Sequence, residues 1–316
     1  MNLEDLSRIQ SAFDQSRGIA DLPYAKGQAI DDTLARLEYA VIGLIGEVGE
    51  IANLIKKARR GQALNVDESG QLTSELSGEV ADVLSYLLKL AGQGDIDPSR
   101  AYLEKMCRNA HRFHAKLRPA TITIAGPPGS GKTTVASALS DVVGAESIYI
   151  ERPSDNPFLD RLDSLSTQFD AVASQNWFLD TIANFVRKSV VPAVVLDQDP
   201  TAIALVYGGL LYDRGYLSST DYQQHLSALL SLEIDAAARL NGRVVLLLDA
   251  SPSHLALRCS QKHTPLDETF LGTLHERFMS TFADLPNVIT IDANRGFGEV
   301  MDEVTDIASR TLVGNS

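Results

Sequence analysis

The spacing of apolar residues along the chain changes near residue 118. Before that point apolar positions recur at helical spacing, with turn signals between the periodic segments. The pattern predicts four helices, over residues 3–16, 32–60, 72–91 and 98–116. Because the links between them are short, we expect an antiparallel all-α helical bundle.

After residue 118 short β-branched runs alternate with helical stretches. Strands joined by helices indicate a parallel sheet covered on both faces, which is an α/β fold. The sequence therefore predicts two domains, a helical bundle over residues 1–118 and a five-stranded α/β domain over residues 119–316. The predicted strands are residues 121–125, 147–151, 193–197, 244–249 and 288–292.

Charge differs between the two predicted domains and limits the partners of the second. Residues 1–119 hold 15 Lys+Arg against 17 Asp+Glu, whereas residues 120–316 hold 13 against 24, within a total net charge of −13. Such an acidic domain is a poor general binder of nucleic acid. The start has no targeting pattern and no apolar run is long enough to span a membrane, so we expect a cytoplasmic protein, in the host cytoplasm if the chain is viral. The two cysteines, Cys107 and Cys259, are expected to be reduced thiols in helices.

A phosphate-binding loop follows the first predicted strand. Residues 126–133 fit the pattern G-x-x-x-x-G-K-[ST] between a strand and a helix start. Backbone N–H groups of such a turn point at a phosphate chain, Lys132 reaches the outer phosphates, and Thr133 is placed for Mg²⁺. The pattern predicts an ATP site formed by Gly126, Gly129, Ser130, Gly131, Lys132, Thr133 and Thr134.

Two pairs of acids lie at helical spacing in the first domain. Glu47 and Glu50 share one face of the second helix, and Glu79 and Asp82 share one face of the third. Their neighbours are apolar, so we expect both faces to be largely inside the bundle. Four acids there would repel one another unless a cation compensates, and hard Mg²⁺ prefers carboxylate oxygens.

These acids resemble the signature of MazG-like all-α nucleoside triphosphate pyrophosphohydrolases, E-x-x-E followed by E-x-x-D. The resemblance covers roughly residues 30–115. It implies that the four acids bind Mg²⁺, that a (d)NTP is split into monophosphate and pyrophosphate, and that the domain forms a homo-oligomer. It also implies phosphate and sugar contacts from Lys105, Asn109 and Arg112 in the last helix. The nearby pair His111 and His114 is interpreted as surface histidine.

The second domain resembles the deoxynucleoside kinase family beyond its phosphate-binding loop. Glu151 and Arg152, followed by Asn156-Pro157-Phe158-Leu159, resemble the segment whose Glu is the base on the sugar hydroxyl. The stretch 175–179 resembles the helix with a base-binding Gln, and 247–258 resembles the strand and helix that lead to the lid. The resemblance implies Glu151 as general base, and Lys132 and Arg258 as catalytic cations, with Lys262 as a residue that could share the task of Arg258. It also implies Gln175 and Asp197 as acceptor contacts.

The chain also departs from that family. Asp197-Gln198-Asp199 stands where the family has an acid, an arginine and a serine, so an arginine expected near the phosphates is absent. A second expected arginine is replaced near Ile182. Three hypotheses stay open. The first is a (d)NTP pyrophosphohydrolase joined to a kinase of a nucleoside or nucleotide. The second has the kinase act on a hydroxymethylated pyrimidine, possibly in DNA, as in phage base modification. In the third, one domain binds nucleotide only to regulate the other.

Overall fold

The chain divides into two compact units. The computed structural model describes residues 3–16, 29–60, 73–114, 119–139, 148–158, 168–189, 194–240, 242–262 and 266–313. Contacts group the chain as Met1–Tyr102 and Leu103–Ser316. Among the described residues, no helix is both long enough and apolar enough to cross a membrane.

The first unit is helical. It contains α1 (Leu3–Ser16), α2 (Ala29–Arg59), α3 (Thr73–Gln93) and the first residues of α4 (Pro98–His114). Gly43 lets α2 approach α3 closely, because a Cβ at that position would lie 2.1 Å from the Tyr86 ring. Lys89 of α3 forms an ion pair with Asp14 of α1 at 3.3 Å. The four helices predicted from the periodicity are confirmed.

The second unit is built on a five-stranded parallel sheet. Its strands are β1 (Pro119–Ala125), β2 (Ile148–Tyr149), β3 (Val194–Leu196), β4 (Gly242–Asp249) and β5 (Val288–Asp292), in the order β2-β3-β1-β4-β5. Strand β1 is central: Ile122 is opposite Val195 of β3 and Val244 of β4. The predicted α/β fold with five parallel strands is confirmed. Because β1 and β2 are separated by β3, the chain leaves β1 at a switch in strand order, where open sheets bind ligands.

Helices cover both faces of this sheet. They are α5 (Lys132–Ala138), α6 (Gln168–Lys188), α7 (Gly209–Asp213), α8 (Ser219–Leu240), α9 (Pro252–Gln261), α10 (Glu268–Phe282) and α11 (Phe297–Ala308), with a 3-10 turn (Pro153–Asp155) and π-helical segments (Ala202–Gly208 and Ser309–Val313). On one face Ile122 and Ile124 pack with Val135 of α5 and Val304 of α11. On the other, Leu247 packs with Phe278 of α10.

The second half of α4 belongs to this α/β unit. The Cys107 thiol donates to the Leu226 carbonyl at 3.4 Å, and Arg108 donates to the Thr281 carbonyl at 3.4 Å. The His111 Nε2 donates to the Pro286 carbonyl at 3.1 Å. The boundary between the two compact units therefore lies inside α4. The domain boundary at residue 118, which was inferred from the sequence, stays a prediction.

His111 corrects one prediction from the sequence. Interpreted there as surface histidine, its side chain is only 1% exposed. The reason is its partner: Arg243 at the start of β4 donates to the His111 Nδ1. Burial and this arginine lower the pKa of His111 to about 4. Both cysteines are free, buried and helical, as expected.

Candidate active sites

The phosphate-binding loop has the geometry that its glycines predict. After β1 the backbone takes φ +150° at Gly126, +83° at Gly129 and +104° at Gly131, and α5 begins at Lys132. Side chains are strained in this region of backbone space. Space is also short, because a Cβ at Gly129 would lie 2.8 Å from the Leu255 carbonyl oxygen. The Ser130 hydroxyl is buried and has no hydrogen-bond partner in the described part of the chain.

The Lys132 ammonium folds back onto the loop. It donates to the carbonyls of Gly126 at 2.8 Å and Pro127 at 3.2 Å. Burial lowers the pKa of Lys132, while the carboxylates of Glu151 and Asp197 oppose that shift. The ammonium therefore lies beside two acids, at the position from which a lysine of this loop reaches outer phosphates.

Asp197 and Thr133 form a pair suited to a hard cation. Asp197 directly follows β3 and is almost fully buried, and its Oδ2 accepts from the Thr133 hydroxyl at 2.9 Å. Its Oδ1 has no hydrogen-bond partner among the residues described. Burial raises the pKa of Asp197, which the Thr133 hydrogen bond and Lys132 oppose. A buried acid with a spare oxygen next to the loop threonine fits the ligand set of Mg²⁺ in P-loop enzymes.

Glu151 follows β2 and lines the same cavity as Lys132. Burial raises the pKa of Glu151 to about 7, with Asp197 adding to the rise and Lys132 opposing it. A carboxyl group with a pKa near neutral pH is suited to take a proton from a hydroxyl. Its predicted role as general base stays a prediction.

A cavity of about 510 Å³ beside the loop is lined by Gln175 and Asp197, the residues predicted to contact the acceptor, and is called the acceptor cavity. Gln175 of α6 lines it with only 8% exposure, and its Oε1 has no hydrogen-bond partner in the described regions. Arg214 lines it too, with its guanidinium carbon 5.2 Å from the centre of the Phe270 ring. The walls are mainly apolar and aromatic. The lining includes Pro153, Phe178, Ile203, Tyr207, Leu210, Leu211, Tyr216 and Phe270.

A second cavity, of about 320 Å³, also borders the loop. Gly129, Gly131 and Lys262 line both cavities. Arg258, predicted as a cation on the transferred phosphoryl group, lines only the second cavity and donates to the Ala293 carbonyl at 2.8 Å. Thr134, Arg295 and Phe297 also line the second cavity. The sequence did not indicate Arg295 or Phe297, since they belong to no motif that the chain displays.

A buried charge network under the site was also missed. The Arg243 guanidinium contacts Glu233 at 2.8 Å and Asp199 at 3.7 Å, and donates to the Thr201 hydroxyl at 2.9 Å. Asp199 is the third residue of the triplet that departs from the deoxynucleoside kinases. The sequence did contain a signal, because an aspartate in place of the serine needs a cation when it is buried. The cation, Arg243, is remote in the sequence and could not be identified from it.

The acids of the first unit converge. Ligand oxygens of Glu47, Glu79 and Asp82 all lie within 4.8 Å of one another. Burial raises the pKa of Glu79, and Glu50, Asp82 and Glu47 raise it further. Three carboxylates gathered this closely repel one another, and a divalent cation would compensate their charge. Glu50 is the one predicted ligand outside the close group, although its charge acts on Glu79.

The surroundings of these acids correct a second prediction. Their apolar neighbours were expected inside the bundle, yet Ile45 is 65% and Val80 is 52% exposed. Ile42, Val48 and Leu87 are exposed as well. The cause is that no described element of the chain covers these faces of α2 and α3.

The basic series of α4 belongs to the second unit, whereas the acids belong to the first. Lys105 is exposed, and Asn109 is partly buried with its amide 3.9 Å from the Met106 sulfur. Arg112 is exposed. Their predicted contacts with a pyrophosphohydrolase substrate stay a prediction.

Comparison with known families decides the class of the second unit. The sequence profile of the thymidylate kinase family, described as "Thymidylate kinase", matches residues 124–304, which is more than half of the chain. The chain belongs to the thymidylate kinase family. The loop, Glu151 and both cavities all lie inside the matched segment.

Solved structures agree on the fold of this kinase unit. The deoxyadenosine kinase from M. mycoides, with products dCMP and a flexible dCDP bound, has a TM-score of 0.50 and 17% sequence identity. The match covers 60% of this chain and 98% of the deoxyadenosine kinase chain. The same enzyme with bound dCTP has the same TM-score and identity. At this identity the likeness establishes the fold.

The N-terminal region is similar to a different group. Human dCTP pyrophosphatase 1 is 36% identical over 115 residues, covering 36% of this chain and 61% of that protein. The rat protein of the same name is 40% identical over 119 residues. A separate comparison, for which the matched region is not assigned to either unit, is with the Gene 37 protein of Mycobacterium phage L5: it is 41% identical over 69 residues, covering 21% of this chain and 55% of that protein. The chain thus spans less than two thirds of the lengths of these relatives.

Proposed function

We propose that the chain is a bifunctional enzyme of nucleotide metabolism in the cytoplasm. Its second unit would use ATP to phosphorylate a hydroxyl of a nucleoside or nucleotide, and its first would hydrolyse a (d)NTP to monophosphate and pyrophosphate. One observation carries the kinase proposal: the Glu151 carboxyl lines the same cavity as the loop lysine and the Asp197–Thr133 pair. That arrangement supports a proton acceptor and a phosphate site at one acceptor pocket.

The kinase step follows from these residues. An acceptor hydroxyl oxygen attacks the terminal phosphorus of ATP, the bond from that phosphorus to the ADP oxygen breaks, and the hydroxyl proton passes to Glu151. Lys132 exchanges its loop carbonyls for phosphate oxygens. Thr133 and Asp197 would hold Mg²⁺, which neutralises charge on the phosphates when bound. Positioning and charge stabilisation then account for most of the rate.

The second cavity suits the base of ATP. It shares the loop glycines with the acceptor cavity, so a nucleotide whose phosphates lie in the loop has a space for its base there. Phe297 offers a ring for stacking, and Arg258 and Arg295 offer planar cations. We therefore assign Arg258 to the donor nucleotide. Lys262, which lines both cavities, is the better-placed cation for the transferred group.

The hydrolase proposal rests on the acid cluster and the similarity to dCTP pyrophosphatase 1. Glu47, Glu50, Glu79 and Asp82 would hold Mg²⁺, which polarises a phosphate and lowers the pKa of a bound water. In the net step a water oxygen attacks the α-phosphorus, the bond to the β-phosphate oxygen breaks, and a carboxylate takes the water proton.

A second copy of the chain is the proposed cover for the apolar faces beside the acids. Isoleucine and valine side chains left half exposed on two adjacent helices lose the free energy that burial would provide. Their position next to the acid cluster predicts that association and hydrolysis depend on each other. A charge at Ile45 should give a smaller species by light scattering and lower pyrophosphate release, with the kinase unaffected.

One experiment on the full chain tests these proposals. The protein with Mg²⁺ is given each (d)NTP in turn and pyrophosphate release is scored. It is then given labelled ATP with nucleosides, monophosphates and hydroxymethyl-containing DNA. Transfer to the DNA would select the base-modification alternative, which the acidity of the domain disfavours. ATP binding without transfer to any acceptor would select the regulatory alternative.

A further inference from the structure

Gln198 stands where the deoxynucleoside kinases have an arginine, between the buried residues Asp197 and Asp199. Its side chain is 2% exposed and lines the acceptor cavity. It is therefore inside the site and not on the protein surface, where it can contact a bound acceptor.

The backbone on both sides of Gln198 is fixed. The Asp197 amide donates to the Tyr149 carbonyl at 3.0 Å, and the Asp199 amide donates to the Ile124 carbonyl at 3.0 Å. The Asp199 carboxylate accepts from the Thr123 hydroxyl at 2.6 Å and from the Thr201 amide at 2.8 Å. With neighbouring strands β2 and β1 holding both sides, the Gln198 side chain cannot withdraw from the cavity by a backbone shift.

Only one of the two polar atoms of the Gln198 amide has a hydrogen-bond partner in the described part of the chain. It hydrogen-bonds the Tyr207 hydroxyl, whereas its Oε1 has no partner among the described residues. The nitrogen therefore makes the bond to Tyr207, and the buried oxygen is left as an acceptor. Buried acceptors without a donor cost free energy, so a ligand that brings a donor gains by supplying it.

Replacing arginine by glutamine changes which ligand group this position can bind, from an anion to a hydroxyl. Arginine is a cation with donors only, and it suits a phosphate or another anion. Glutamine is neutral and here offers an oxygen, which suits a hydroxyl.

We propose that Gln198 selects a neutral nucleoside that has a second free sugar hydroxyl beside the one that is phosphorylated. The 3′-hydroxyl of a 2′-deoxynucleoside donates to the Gln198 oxygen while the 5′-hydroxyl reacts. A nucleoside monophosphate is disfavoured, because a neutral glutamine stands where an arginine would bind its phosphate. This inference rests on the proposed kinase function.

Three acceptors with one base test it on the full chain: a 2′-deoxynucleoside, its 2′,3′-dideoxy counterpart and its 5′-monophosphate. Sites built to bond a substrate hydroxyl reject analogues that lack it strongly, so we expect kcat/KM for the deoxynucleoside to exceed the other two by about a hundredfold or more. Gln198→Met, which keeps the volume and removes the amide, should lower that ratio to within about threefold. Gln198→Arg should raise turnover of the monophosphate.

Gln175→Met is the matched control. Gln175 is the same residue type, lines the same cavity and also has a buried Oε1 without a partner in the described chain. Because we assign it to the base, its substitution should lower turnover of both sugars equally and leave their ratio unchanged. A loss caused only by altered packing would not separate the two variants in this way.

Two results would overturn the inference, and they differ in meaning. Equal kcat/KM for the deoxy and dideoxy nucleosides in the wild type, or a preference for the monophosphate, refutes the role of Gln198 and leaves the kinase intact. No transfer to any of the three acceptors, with ATP bound, refutes the kinase proposal and this inference with it.

Discussion

The pH dependence of the kinase reaction tests the role of Glu151. Burial raises the pKa of this carboxyl to about 7, and a general base acts only when ionised. For a pKa of about 7 roughly one eleventh of the protein is ionised at pH 6 and roughly ten elevenths at pH 8. We therefore expect kcat/KM to rise about tenfold over this interval, because that ratio follows the ionisation of the free enzyme.

The assay is transfer of labelled phosphate from ATP to a deoxynucleoside between pH 5.5 and 8.5. Glu151→Gln keeps the size of the side chain and removes the base, so kcat should fall about 10²- to 10⁴-fold and the remaining activity should lose the rise. Asp155→Asn is the control, since Asp155 is an exposed acid of the turn that follows Glu151. Its profile should match that of the wild type.

Either of two outcomes would refute this reasoning. A flat wild-type profile from pH 6 to pH 8 would mean that no group with a neutral pKa limits the reaction. The same rise in Glu151→Gln would assign the ionisation to a different group, and Glu151 would then lose its role as base.

Three further predictions concern stability and nucleotide binding. Arg243→Met should lower the free energy of unfolding in urea by about 3–5 kcal/mol, because it leaves buried carboxylates without their cation; an unchanged urea midpoint would contradict the network. The pKa of His111 is depressed to about 4, so its contribution to stability is present above its unfolded pKa of about 6.5 and is lost as the pH falls towards 4. His111→Asn should remove that part of the pH dependence, and identical acid-unfolding curves for the two proteins would count against it. Gly129→Ala should weaken ATP binding about tenfold or more in calorimetry, since it combines a left-handed backbone with a clash at the Leu255 carbonyl. Gly272→Ala, whose Cβ would meet nothing closer than 3.9 Å, should bind ATP normally.

Local patterns predicted most of the fold and part of the sites. The strands follow from apolar runs that are buried on both faces, as in β4, where all but the last residue is buried. The loop geometry follows from glycines that alone tolerate its backbone. Glu47, Glu79 and Asp82 come together because helical spacing placed each pair on one face.

What the sequence could not predict depends on distant partners. His111 is buried by Arg243, and nothing local to α4 indicates that contact. Arg258 lines the second cavity and not the acceptor cavity, because the orientation of α9 decides which cavity its side chain meets. The exposure of Ile45 could not be predicted either. An apolar stripe on a helix has the same sequence pattern whether its own chain or another copy of the chain covers it.

The central claim is that the chain has two separate active sites, and crossed variants test it most directly. Pyrophosphate release from (d)NTP and phosphate transfer from ATP are measured on the same preparations of Glu79→Gln and Lys132→Met. We expect Glu79→Gln to abolish the hydrolase and leave the kinase within about twofold of wild type, and Lys132→Met to do the reverse. Loss of both activities in either folded variant would contradict two independent sites.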